Sequence, residues 1–302
     1  MSRTIEAARG KWRGIIMSFG MDRSFLTGKH GPCPLCGGSD RFRFDDKEGR
    51  GTYFCSGCGA GTGMDLVTKF TGLDFKAAAD QIDTLVGNIR PEKPKPVRTP
   101  QQCQRSSADL WNGAKRIVPG DPVSVYLERR RVGLPQNVDS IRYAPNCPVP
   151  GGSQCTAMIA KVTDVEGRGV TVHRTFLTLS GQKADMERPR AVMAGDIPDG
   201  AAIRLAMHGD RLGIAEGIET ALAASKRFGI PVWAAINSTM LTKWQPPEGV
   251  KAVTIFGDND QKFGGAAAAY ALAHRLACRT PIAVDVRIPD VLGADWADEV
   301  AA

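Results

Sequence analysis

Two groups of residues in this chain have the types and spacing to do chemistry. The first is acidic. In "LGIAEGIETALAA" an apolar run ends at Glu216, and in "VTIFGDND" a second apolar run ends at Asp258 and Asp260. Carboxylates set two residues apart repel each other unless a cation lies between them. With Glu216 they form an oxygen-rich set suited to Mg²⁺ or Mn²⁺, ions that keep part of their water and bind phosphate oxygens. Further on, "GADWADEV" offers Asp295 and Asp298 as additional carboxylates.

The second group is four thiols, Cys33, Cys36, Cys55 and Cys58, spaced C-x2-C-x18-C-x2-C. Each CxxC turn converges two thiolates on one point, and 18 intervening residues suit a β-hairpin that brings the turns together. A tetrahedral Zn²⁺ held by all four is the natural occupant, structural because no coordination position stays open. Two disulfides, a redox pair or an iron–sulfur cluster are the alternatives. His30, just before the first turn, is not counted as a ligand. Cys103, Cys147, Cys155 and Cys278 are scattered and read as ordinary thiols.

The acidic set needs strands to carry it. Apolar segments "RLGIAEG", "PVWAAIN", "KAVTIFGD" and "IAVDVRIPD" alternate with the helical patterns "ETALAASKRFG" and "GGAAAAYALAHRLAC". Strand–helix alternation implies a parallel sheet with helices on both faces, and ligand sites in such sheets lie at the carboxyl ends of the strands. Glu216 and Asp258 fall there. Upstream, "SADLWNGAKRIV" and "DPVSVYLERRRV" are helix-like, the second with Asp121 as cap and Pro122 in the first turn. The stretches "CTAMIAKVTD", "GVTVHRTFLT" and "RAVMAG" alternate like strands.

The cysteines need a hairpin. In "RFRFDD" Arg41 and Arg43 alternate with Phe42 and Phe44, and "TYFC" returns Tyr53 and Phe54. Guanidinium on phosphate and ring on base is one use of such a sheet, with Arg41, Arg43 and Tyr53 as candidate nucleic-acid contacts. One aromatic row must instead fill the core of so small a module.

The fold expected is multidomain: a β-rich zinc ribbon over 1–86, a flexible linker over 87–107, an α+β basic subdomain over 108–205, and an α/β Rossmann-like domain over 206–302. The linker, "GNIRPEKPKPVRTPQQCQRSS", has four prolines, five basic residues and almost nothing apolar. The 302 residues carry a formal net charge of +7, which leans toward a polyanionic partner. Only residues 206–302 have an acidic excess, 11 Asp and Glu against 9 Lys and Arg. No run of about 18 apolar residues and no signal-peptide core is present, so a cytoplasmic protein without a membrane partner is expected.

The series "AEGIETALA … FGDND … DWAD" resembles the TOPRIM fold of bacterial-type primases, topoisomerases and some nucleases. Joined to "HGPCPLCGGSDRFRFDD … GTYFCSGCGAGTGMDLV", it resembles the zinc-binding DNA primases of phages, phage satellites and plasmids. That resemblance covers most of the chain. It implies Glu216 as the TOPRIM glutamate, Asp258 and Asp260 as its DxD pair, and Asp295, with Asp298 beside it, as the later acidic position. It further implies synthesis of short RNA primers on a single-stranded DNA template from ribonucleoside triphosphates, in a bacterial cell or phage-infected host. Lys161, Arg174, Lys183 and Arg190 of the basic subdomain are candidates to hold triphosphate or template.

Many relatives fuse a helicase behind TOPRIM. No GxxxxGK[ST] loop occurs here, so the replicative helicase is a separate protein, or the chain is a fragment or a standalone primase. A TOPRIM nuclease or topoisomerase and a non-catalytic zinc-ribbon single-stranded DNA-binding protein are the competing readings. A topoisomerase needs a nucleophilic tyrosine, and Tyr53, Tyr126, Tyr143 and Tyr270 lie in the zinc hairpin or in core-like contexts.

Overall fold

The computed structural model describes residues 3–92, 98–150 and 152–301. The chain forms two compact units, Met1–Val97 and Arg98–Ala302.

The first unit opens with α1 (Arg3–Ala7) and α2 (Trp12–Ser18), continues through β1 (Gly31–Cys33), β2 (Gly37–Phe44), β3 (Tyr53–Cys55) and β4 (Gly59–Gly61), and closes with α3 (Gly63–Thr71) and α4 (Phe75–Val86). The four strands pair in sequence order as an antiparallel sheet. Trp12 is buried against Gly63 so closely that a β-carbon there would collide with its ring. Thr62 and Asp65 form a capping box that starts α3 beside this contact.

The second unit begins earlier than the sequence suggested. Helix α5 (Pro100–Gly113) occupies the last third of the segment read as a flexible linker. The Thr99 hydroxyl accepts from the Gln102 amide and Gln102 accepts from the Thr99 amide, while Pro100 has no amide to satisfy. Cys103, Ser107 and Trp111 bury one stripe of α5 at intervals of four. Proline content suggested a coil where it marks a helix start. Residues 93–97 of the expected linker lie outside the described residues.

Helix α6 (Pro122–Arg129) follows, and the Asp121 carboxylate accepts from the amides of Val123 and Ser124. Strands β5 (Ile141–Pro148), β6 (Gln154–Thr163), β7 (Gly169–Leu177) and β8 (Arg190–Val192) make an antiparallel sheet in that order. Its two faces separate by strict alternation. Met158, Ala160 and Val162 join one core and Ala157 and Ile159 another.

The remainder holds β9 (Arg211–Ala215), α7 (Ile218–Phe228), β10 (Val232–Ala234), α8 (Ser238–Lys243), β11 (Ala252–Phe256), α9 (Gly264–Arg279), β12 (Ala283–Arg287) and α10 (Trp296–Ala301). Its strands are parallel, ordered β10-β9-β11-β12. Leu212, Ile214, Val253 and Ile255 pack on one face, while Ala215, Val232, Ala234 and Phe256 pack on the other. That second face shares one core with Met158, Ala160 and Val162 of the antiparallel sheet. Residues 108–205 and 206–302, expected as two domains, therefore form one body. The segment Ala202–Ile203 stitches them, pairing with Thr163 on one side and Ala234 on the other.

Candidate active site and metal centre

The zinc motif closes as its spacing demands. The four sulfurs gather with Cys33 Sγ 3.6 Å from Cys58 Sγ and Cys36 Sγ 3.7 Å from Cys55 Sγ. Each first cysteine of a CxxC turn also accepts a backbone amide, Cys33 from Leu35 and Cys55 from Gly57. Burial first, then the three neighbouring thiols, pushes the Cys58 thiol up to about 12. Such crowding fits a thiolate-binding cation, and among the described residues these cysteines form the one tightly gathered set of candidate metal ligands.

The pleat sorts the hairpin aromatics differently from the sequence reading. Phe42 and Phe44 are buried, and Tyr53, 2% exposed, is core with them. Its hydroxyl accepts from Lys69 at 3.2 Å. Tyr53 is two residues before the buried Cys55, so it must share that strand face. Phe54 takes the open face at 47% exposure, directly across from Arg43. Arg43 ion-pairs with Asp45, and Arg41 lies beside the Cys36 thiol and lowers its pKa, against the dominant effect of burial. The exposed ring on that strand is Phe54 and not Tyr53.

In the parallel sheet, Phe256 lies level with Ala215, so Glu216 and Asp258 leave neighbouring strands at the same carboxyl edge. Gly257 and Gly265 permit the approach. A β-carbon on Gly257 would meet Ile288 at 2.5 Å, and one on Gly265 would meet the Asp258 carbonyl at 2.7 Å. Glu216, Asp258 and Asp295 line one narrow cleft of about 50 Å³, together with His173, Arg190 and Glu219. Burial, followed by the charges of Glu216, Asp295 and Asp260, pushes Asp258 up to about 7. Glu216 is raised for the same leading reason. Asp258 Oδ1 is buried without a hydrogen-bond partner. A buried, unpaired carboxylate oxygen among like charges fits a divalent cation and is costly without one.

The other acidic candidates divide. Asp260 turns back on its own loop, accepting from the amides of Lys262, Gly264 and Gly265 at the start of α9, and these bonds hold its pKa low. Asp295 and Asp298 cap α10 reciprocally, each accepting the other's backbone amide, and Arg130 lies within 3.9 and 3.7 Å of them. Of that pair only Asp295 borders the cleft.

Among the basic candidates, Lys183 reaches the cleft region, 3.7 Å from Glu219, and Arg190 lies 3.3 Å from the same carboxylate. Lys161 and Arg174 do not. Lys161 stacks on Trp111 at 4.7 Å, and Arg174 donates to the carbonyls of Pro148 and Val192. Ile159 and Arg174 are level across β6 and β7, and Ile159 belongs to the core with Trp111, on the face away from the parallel sheet. Alternation puts Lys161 and Arg174 there, and the intervening His173 on the cleft side.

Glu219 is the residue that motif reading passed over. It is 2% exposed, in the first turn of α7, where it accepts from the Tyr126 hydroxyl and pairs with Lys183 and Arg190. Burial opposes its charge, yet Arg190, then Lys183 and the Tyr126 hydrogen bond hold its pKa down at about 2. The signal was available in "IETALAA": with the remaining residues of the first two turns apolar or small, an acid in the first turn has no exposed face.

Residues 28–64 match the family described as the zinc-binding domain of primase-helicase, residues 101–205 a domain of unknown function (DUF7146), and residues 211–302 the Toprim domain. Among solved structures, the primase fragment of the bacteriophage T7 primase-helicase protein is similar at 15% identity, over 89% of this chain and 92% of that one, with a TM-score of 0.40. The Aquifex aeolicus primase, zinc-binding and RNA polymerase domains, is similar at 13% identity over 99% and 82%, TM-score 0.45. The E. coli primase catalytic core is similar at 15% identity over 66% and 74%, TM-score 0.44. A primase-type zinc ribbon followed by a Toprim domain defines one class of replication enzyme. Residues 28–64 and 211–302 thus give the chain a primase-type zinc-binding domain and a Toprim domain, which together support a DNA primase. Among the described residues no helix is long and apolar enough to cross a membrane.

Proposed function

We propose that the cleft between Glu216, Asp258 and Asp295 is the polymerising centre, where ribonucleoside triphosphates are joined into short RNA primers on single-stranded DNA. The observation that carries this is Asp258, whose buried Oδ1 has no partner and whose charge is opposed by Glu216, Asp295 and Asp260. Glu216 and Asp258, with Asp260 and Asp295 at the rim, would hold Mg²⁺ or Mn²⁺. Such ions, when bound, lower the pKa of the primer 3′-hydroxyl and stabilise the leaving pyrophosphate. Arg190 and Lys183, held beside the carboxylates by Glu219, supply positive charge for the triphosphate.

The ribbon face with Arg41, Arg43 and Phe54 contacts the single-stranded template and helps select the start site, with Zn²⁺ keeping the hairpin folded. A replicative helicase as partner follows from the primase-helicase family of the ribbon.

The test supplies full-length protein with single-stranded DNA, labelled ribonucleoside triphosphates and Mg²⁺ or Mn²⁺, and separates the products by size. Short RNA chains are expected from wild type and none from Asp258→Asn with Asp260→Asn. Primer synthesis unchanged in that double variant would overturn the site, and cleavage or relaxation of DNA without any RNA product would overturn the reaction.

A further inference from the structure

His173 is 7% exposed, on the strand face turned to the cleft, and its Nδ1 is buried without a hydrogen-bond partner. Other buried polar atoms of the chain lack partners, but among the cleft's lining residues this is so of two, His173 and Asp258. For Asp258 the missing partner is a cation. A neutral imidazole nitrogen calls for a different one. Leaving a buried donor or acceptor unpaired is costly, so such an atom in an otherwise tightly packed sheet marks a place where a ligand completes the bonding. Burial foremost, with Arg190 and Arg174 adding to it, keeps the ring neutral, against the pull of Glu219. A neutral imidazole presents one N–H donor and adjusts its tautomer to the ligand.

The neighbouring wall is cationic. Arg190 lines the same cleft, and Lys183 shares its carboxylate partner. A donor beside two cations suits an anionic oxygen, where a hydrogen bond gains charge assistance. We propose that His173 is a substrate-binding residue whose Nδ1–H donates to a non-bridging phosphate oxygen entering the cleft. This rests on the cleft being the nucleotide site. The phosphate comes from a nucleoside triphosphate or from the backbone of a nucleic-acid strand.

The experiment compares wild type, His173→Leu and His173→Asn in the full chain. ATP binding with Mg²⁺ and no template is measured by calorimetry, a short single-stranded oligonucleotide is titrated separately by fluorescence anisotropy, and thermal unfolding is followed without ligand. Asn places a donor near the Nδ1 position, while Leu fills the space without one. His173→Leu is expected to bind ATP about tenfold more weakly, as loss of one charge-assisted bond requires, and His173→Asn within about threefold of wild type. Unliganded His173→Leu is expected to melt no lower than wild type, because an apolar group replaces an unpaired polar one. A tenfold loss confined to the oligonucleotide would assign the phosphate to the strand backbone and still support the proposal. Wild-type affinity of His173→Leu for both ligands would overturn it and leave the cleft reading intact. Equal weakening in the Leu and Asn variants would also overturn it, as a shape effect. Failure of wild type to bind either ligand would overturn the cleft reading itself.

Discussion

Tyr126 on α6 donates its hydroxyl hydrogen to Glu219 on α7, joining helices 93 residues apart in sequence at the wall of the acidic cleft. The bond fixes a carboxylate almost wholly shielded from water, and that carboxylate in turn fixes Lys183 and Arg190. At the cleft this one buried acid sets the cations of residues 108–205 against the carboxylates of the Toprim domain.

Glu219→Gln is expected to destabilise the protein by about 3 kcal/mol, since removing one partner of a buried pair strands the others. Tyr126→Phe is expected to cost about 1.5–3 kcal/mol, the loss of one hydrogen bond to a charged group. Denaturant unfolding checks both. The pH dependence has a definite sign. Glu219 ionises at about 2 in the folded state, below the usual 4.5. Its contribution is complete above about pH 4.5 and fades as pH falls toward 2. Wild type should therefore lose stability relative to Glu219→Gln over that acid window.

Asp258 has the opposite sign. Its folded pKa of about 7 lies above the usual 3.8, so its contribution is favourable below pH 3.8 and is lost as pH rises through 7. Asp258→Asn should therefore melt higher than wild type at pH 8 in the presence of a chelator, by roughly 3–8 °C, while primer synthesis disappears. The gap should narrow steadily as pH falls from 8 to 5. A variant that melts lower at pH 8 would contradict the crowding of the acids.

The placement of Glu216 and Asp258 at the carboxyl edge of the parallel sheet was legible because acids and strand ends coincide in the sequence. The zinc site was legible because four cysteines at that spacing have few other uses. What escaped was decided by faces. "VHRTFLT" drew attention to Arg174, but the two-residue period of β7 turns His173 to the cleft and Arg174 to the far core. The same period exchanged Tyr53 for Phe54. Periodicity was present in the sequence, but which face meets which partner depends on packing between sheets, seen only when 108–205 and 206–302 close on one core. The first half of helix α5 was missed for a local reason, the reading of Thr99-Pro100 as coil when it is a cap.

Removing zinc should unfold the ribbon more than it disturbs the cleft. Four thiols all within 4.8 Å of one another cannot remain ionised together without a cation. One zinc per chain is expected on release with a mercurial reagent, and Cys33→Ser or Cys55→Ser should release it under a mild chelator. Trp12, packed on Gly63 just beyond the ribbon strands, gives a fluorescence readout of the collapse. ATP binding at the cleft should survive, because Met1–Val97 and Arg98–Ala302 have separate cores.

Phe54 and Tyr53 provide a matched pair for the template face. A base stacked on an exposed ring contributes about 1–3 kcal/mol, so Phe54→Ala should weaken binding of a short single strand about tenfold at constant salt. Its effect on stability should be small, because nearly half of the ring surface is already in water. Tyr53→Ala should do the reverse in the first instance, costing about 3 kcal/mol or more of stability by emptying a core position between Phe42 and Gly61. Anisotropy titrations with a labelled oligonucleotide, alongside thermal melts, separate the two. If Phe54→Ala binds as wild type while Arg41→Ala and Arg43→Ala each bind more weakly, the face holds phosphates and reads no base.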